Sequence, residues 1–196
     1  MFLPEPPPSD AAAKLYADDR ADTGYVDNLT RLWCWRPEVL TAFTDVRTLL
    51  LSKSRLSAAD IAVIVTATAN ARADSYCALA WNRRLTAEIG EEAAEQLLRG
   101  STHGLASRHA VLARWARRVA VEPNATTPDD VAGLRSVGFD DLQIFEATAL
   151  VAMRLAFSTV NDALGAEPDA QLAATAPAAV RAAVSFGRPA ASAPST

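Results

Sequence analysis

The stretch from Asp141 to about Leu164 constrains the fold more than any other part of the chain. Arg154 is the only charged residue between Glu146 and Asp162, so a helix built from this stretch is apolar on most of its sides. Such a helix has to be wrapped by other helices, from its own chain or from a partner's. The rest of the sequence supplies them. Pro37 opens a segment whose apolar residues Val39, Leu40, Phe43, Val46, Leu49 and Leu50 keep helical spacing. Ser57 with Asp60 reads as a capping box ahead of Ile61, Ile64 and Val65. Further helices are expected from about Tyr76 to Ile89 and on to Leu98, with breaks at Gly100 and Gly104. Thr127-Pro128-Asp129-Asp130 is a helix start, Gly138 a stop and Asp140 the cap of the long apolar helix. No run alternates apolar and polar residues long enough for a strand, so the fold class is all-α.

At 196 residues with 50% hydrophobic and 21% charged residues, the chain suits one globular domain. That domain is expected over 1–186, with a proline-rich arm at about 1–9 lying extended over a surface and a flexible tail at 187–196. The net charge of −4 gives no global reason to bind nucleic acid or an anionic membrane. Arg114, Arg117 and Arg118 read as a solvated helix face, and no basic recognition helix is present. The longest uncharged apolar run, Ile61 to Ala71, is too short to span a bilayer. With no signal peptide legible at the start, a cytoplasmic location is the default expectation.

Three stretches carry a family resemblance. The first is Phe2-Leu3-Pro4 through Val26-Asp27-Asn28-Leu29 to Arg36-Pro37-Glu38-Val39-Leu40. The second is the Leu56-Ser57 helix leading to Tyr76-Cys77. The third joins Thr127-Pro128-Asp129-Asp130-Val131, Gly138-Phe139-Asp140-Asp141 and Asp162-Ala163-Leu164-Gly165. In order and spacing they resemble the peroxidase-related branch of the AhpD-type alkylhydroperoxidases and carboxymuconolactone decarboxylases, over nearly the whole chain apart from the tail. The resemblance implies an AhpD-like helical bundle that assembles as a dimer, trimer or hexamer. It also implies hydroperoxide reduction by a Cys-x-x-Cys pair, with a glutamate and a histidine relaying protons; the related decarboxylases act on a lactone acid.

In that register the redox motif falls on Asp74-Ser75-Tyr76-Cys77. The resemblance makes Cys77 the thiol that attacks peroxide. Asp74 stands where the resolving cysteine belongs, Trp81 where the histidine belongs, and Ala62 where the relay glutamate belongs. A thiol attacks only as thiolate, and a carboxylate three residues away with no imidazolium at i+4 disfavours that anion. Trp81 is expected to set a large ring over the sulfur. The candidate catalytic set is therefore Cys77, Asp74 and Tyr76, with Trp81, Ala62 and Ser75 lining the pocket.

Each candidate has a plainer structural alternative. Asp74 reads as a helix N-cap, and Cys34 and Cys77 as two buried thiols rather than a redox couple. Trp33, Trp35, Trp81 and Trp115 read as core and subunit interface rather than pocket. His103 and His109, the only histidines, read as solvated loop residues. The two cysteines and two histidines lack metal-ligand spacing, and no cofactor or metal is expected. Three functions stay open: a one-thiol hydroperoxide reductase using an external thiol, a catalytically degenerate protein kept for assembly or small-molecule binding, and a pocket reused for acid–base chemistry on a hydrophobic metabolite.

Overall fold

The computed structural model describes residues 1–192, which form eleven α-helices, one short 3₁₀ turn and no strand among the described residues. In chain order the helices are α1 Asp10–Asp22, α2 Asn28–Trp33, α3 Pro37–Ser52, α4 Ala58–Ala71, α5 Ser75–Ile89 and α6 Glu91–Leu98. They continue with α7 Ser107–Val121, α8 Pro128–Ser136, α9 Asp141–Ala163, α10 Ala170–Thr175 and α11 Ala178–Ala183. The all-α expectation holds. None of these helices is long and apolar enough to cross a membrane.

The centre of the bundle is α4. Its start is fixed by the expected capping box: the Asp60 amide donates to Ser57 Oγ at 3.0 Å and the Ser57 amide donates to Asp60 Oδ2 at 3.1 Å. Every residue from Ala62 to Ala69 is buried, because α5, α7 and α9 pack around this helix. Small and β-branched side chains let three neighbours approach it closely. A second capping box, Asp140 with Gln143, starts α9 as expected.

The long helix α9 is wrapped only in part by its own chain. It buries one stripe, including Ile144, Ala147, Leu150, Val151, Arg154 and Ser158, while Leu142 and Phe145 stay exposed. The outward side carries mostly short residues such as Ala152 and Ala156, both exposed. The arginine face needs correcting. Arg114 and Arg118 are exposed, but Arg117 is half-buried and donates to the Leu97 carbonyl at 3.2 Å.

Both ends of the described residues are docked onto the bundle. The Phe2 amide donates to the Leu164 carbonyl at 2.9 Å, and the Phe2 ring lies against Gly165, where any Cβ would sit 2.8 Å from it. At the other end, Ser75 Oγ donates to the Arg188 carbonyl at 2.7 Å and the Ala191 amide to the Pro168 carbonyl at 2.8 Å. The last four residues of the expected tail, 193–196, lie outside the described residues.

Candidate functional site

The turn between α4 and α5 sets the position of the motif. Ala73 adopts φ 55°, a left-handed conformation that costs a non-glycine residue about 1 kcal/mol. The Asp74 amide then closes back onto the Ala69 carbonyl at 2.8 Å. Gly187 covers this turn from outside. A Cβ there would lie 2.4 Å from the Ala73 carbonyl oxygen, so only glycine lets the C-terminal segment pass.

Asp74 caps α5: one carboxylate oxygen accepts from the Cys77 amide at 2.8 Å. The other accepts the hydroxyl hydrogen bond of Ser158, which comes across from α9. Ser158 Oγ also lies 3.7 Å from Cys77 Sγ, and Arg154, one turn earlier on α9, donates to the same sulfur through Nη2. Asp74, Ser158, Cys77 and Arg154 thus form one buried chain of contacts. Cys77 is only 3% exposed. Burial pushes its thiol up to about 12; the Arg154 cation pulls it down and the Asp74 carboxylate pushes it further up.

Tyr76, next on α5, points elsewhere. Its hydroxyl donates to Asp169 and accepts from the Leu29 amide at 3.4 Å. Burial, followed by the charge of Asp169, raises the phenol far above its ordinary range. Tyr76 is therefore an anchor between α5 and the α9–α10 connection. With Asp74 held as a cap by two donors and Tyr76 tied to Asp169, the two groups expected to serve acid–base chemistry are both engaged in structure.

Cys77, Tyr76 and Trp81 line a cavity of about 350 Å³ bounded by α1, α2, α3, α5 and α9. An adjoining cavity of about 380 Å³ shares Arg47, Trp81, Arg84 and Arg154 with it. Of the residues expected to line the pocket, Trp81 does so. Ala62 is instead packed in the core and Ser75 is turned toward Arg188. Trp33 stacks on Phe157 at 5.1 Å, and Trp115 is buried with its indole N–H on Thr148. Trp35 is exposed.

Cys34 lies elsewhere, paired with the Tyr16 hydroxyl, and burial raises its thiol too. Both cysteines are free and buried. His103 is exposed, but His109 corrects its expectation. It sits in the first turn of α7 with Nε2 3.5 Å from Asp60 Oδ1, beside the Arg108 guanidinium that bridges both Asp60 oxygens at 3.1 and 3.0 Å. Burial alone would raise Asp60, yet the hydrogen bonds from His109 and Arg108 hold it well below the usual carboxylate range.

These helices and their order match known structures. Over 87% of this chain and 93% of the other, it superposes with a TM-score of 0.75 and 21% identity on an uncharacterized peroxidase-related protein from Ralstonia eutropha JMP134 with an alkylhydroperoxidase AhpD core. The fold is that of the AhpD core. A second peroxidase-related protein, from Silicibacter sp. TM1040, matches with a TM-score of 0.75 and 23% identity over 88% of this chain and 92% of the other. No family model and no curated protein matches the chain. The AhpD-fold neighbours agree with the resemblance read from the sequence, and residue roles rest on this chain's own geometry.

Arg154, Ser158, Arg47, Arg84 and Phe157 were not on the expected list. Arg154 had a signal, as the lone charge in an apolar helix. Ser158 and Phe157 follow it at i+4 and i+3, so they share its face. Arg47 and Arg84 lie on other helices and carried no signal at all.

Proposed function

We propose that this AhpD-fold protein binds a small molecule in the cleft between α3, α5 and α9 and does not run the two-cysteine peroxide chemistry of the active members that it resembles. The observation that carries this reading is the state of Cys77. Burial holds this thiol above its ordinary range, so its thiolate is disfavoured at pH 7. Position 74, where the resolving cysteine would stand, is a capping carboxylate. What remains is a cleft of ligand size, lined by apolar side chains together with arginines and aspartates.

A second reading has one observation in its favour. The Arg154 guanidinium donates to Cys77 Sγ, and a cation there favours the thiolate. In that reading Cys77 attacks the outer peroxide oxygen, giving the alcohol and a sulfenic acid. Two external thiols then return the cysteine, releasing water and their disulfide.

Peroxide separates the two. We expect protein treated with cumene hydroperoxide and dithiothreitol to consume no more peroxide than Cys77→Ala, and Cys77 to keep its reduced mass. Peroxide consumption that vanishes in Cys77→Ala would transfer the proposal to the one-thiol reductase. Self-association belongs to the same proposal. Val46 and Leu49 on α3, and Leu142 and Phe145 on α9, are exposed in pairs three residues apart and suit burial against another copy. A homo-oligomer is expected in light scattering, and a monomer at tens of micromolar would contradict that part.

A further inference from the structure

Three cationic side chains of the cleft stand without a salt-bridged partner. Arg47 comes from α3, Arg84 from α5 and Arg154 from α9, and all three line both adjoining cavities. Among the described residues none of them forms an ion pair with a carboxylate. Like charges brought together in a partly buried cleft repel one another. Arg47 feels this: burial first, then Arg154 and Arg84, lower its affinity for its proton.

Arg154 is the least solvated of the three, at 5% exposure. It spends Nη2 on Cys77, while its buried Nε has no hydrogen-bond partner. An unpaired donor on a buried cation costs free energy unless a ligand answers it. Two of the three cations lie over aromatic faces. Arg84 stacks over Trp81 at 4.9 Å and Arg154 over Phe157 at 5.2 Å. Guanidinium groups so fixed lose little entropy on gripping a planar or tetrahedral oxyanion.

The remaining lining says what the anion is attached to. Besides the arginines, the 350 Å³ cavity is lined by Leu29, Leu40, Phe43 and Phe157 and by Asp18, Asp19, Asp22 and Asp27. The apolar part of this lining accepts a hydrocarbon body, and its carboxylates repel a second negative charge. We propose that Arg47, Arg84 and Arg154 form an oxyanion-binding site that takes the single carboxylate or phosphate head of an amphipathic small molecule, with its apolar body laid along Leu40, Phe43 and Phe157. This rests on the binding reading above and gives it a ligand class.

Calorimetric titration of the full chain with octanoate, octyl phosphate and octanol tests both levels. Octanoate or octyl phosphate is expected to bind at least tenfold tighter than octanol, and the tighter of the two identifies the head group. Arg84→Gln, on an exposed side chain, and Arg47→Gln should each weaken the anion about tenfold or more while leaving octanol unchanged. Arg47→Lys should fall between, and raised salt should weaken only the anions. Octanol binding as tightly as the anions, with no effect of either variant, overturns the oxyanion site and leaves the binding cleft standing. If none of the three binds, both proposals fall. If none binds and Arg84→Gln also breaks the oligomer, the arginines answer carboxylates of a second copy, and the ligand site is replaced by an interface.

Discussion

Two clusters of charge lie inside this bundle, and they are built in opposite ways. Around Asp60, at the start of α4, a carboxylate that is 1% exposed meets the Arg108 fork, the His109 imidazole, the Ser57 amide and its own helix N-terminus. Every acceptor position there is answered by a donor. Around Arg154 three guanidinium groups converge with no carboxylate among them, and a buried N–H is left over. The first arrangement is what a structural ion cluster needs in a medium that penalises bare charge. The second is incomplete as structure. The difference teaches that burial and charge alone do not mark a site: what marks it is charge whose partner is missing from the chain.

The sharpest way to break that contrast is at Asp60. Asp60→Ala removes half of the capping box and strands Arg108 and His109 together, which should cost about 3–4 kcal/mol. Urea denaturation at pH 7 would show it as a large fall in midpoint at an unchanged slope. A loss below about 1 kcal/mol would mean that the cluster at α4 is as dispensable as a surface pair, and the distinction drawn here would lapse.

The acidic end of the cleft supplies a middle-sized effect. Burial, then repulsion from Asp19, Asp169 and Asp22, raises Asp27 from the usual carboxylate range to about 7. A raised carboxylate contributes its full stability below the unfolded value, and that contribution is lost as pH rises through the folded one. The wild type should therefore lose ground between about pH 4 and pH 7, and Asp27→Asn should not. The variant should be more stable by about 1–2 kcal/mol at pH 8, after allowance for solvent screening, and nearly equal at pH 4. Thermal unfolding across that range gives the answer, and a constant difference at all pH values would remove Asp27 from the titrating set.

Much of the scaffold was legible because its causes are local. Ser57 with Asp60, Thr127 with Asp130 and Asp140 with Gln143 are capping boxes whose partners stand three residues apart, and spacing alone reveals them. Asp74 as a cap was readable for the same reason. The failures share a different cause. His109 read as a loop residue because Asp60 is 49 positions away, and Arg117 read as solvated because the Leu97 carbonyl comes from another helix. Tyr76 looked like an acid–base group until Asp169, from beyond α9, took its hydroxyl. The arginine cluster was the least legible part, since Arg47, Arg84 and Arg154 come from three helices that meet only through tertiary packing.

The smallest expected effect tests the comparison from the other side. Arg108→Gln and Arg47→Gln remove the same charge from two half-buried positions. Arg108 bridges both Asp60 oxygens and packs 3.5 Å over the Phe139 ring, so its loss should destabilise. Arg47 faces Arg84 and Arg154, so neutralising it relieves repulsion and should stabilise the ligand-free protein by up to about 1 kcal/mol. The two shifts should therefore have opposite signs at low salt, and the Arg47 gain should shrink as salt is added. A chain that evolved only for stability would not keep Arg47 where a neutral glutamine serves better. A destabilised Arg47→Gln, insensitive to salt, would show that this arginine is held for packing and would leave the cleft without its claim on an anion.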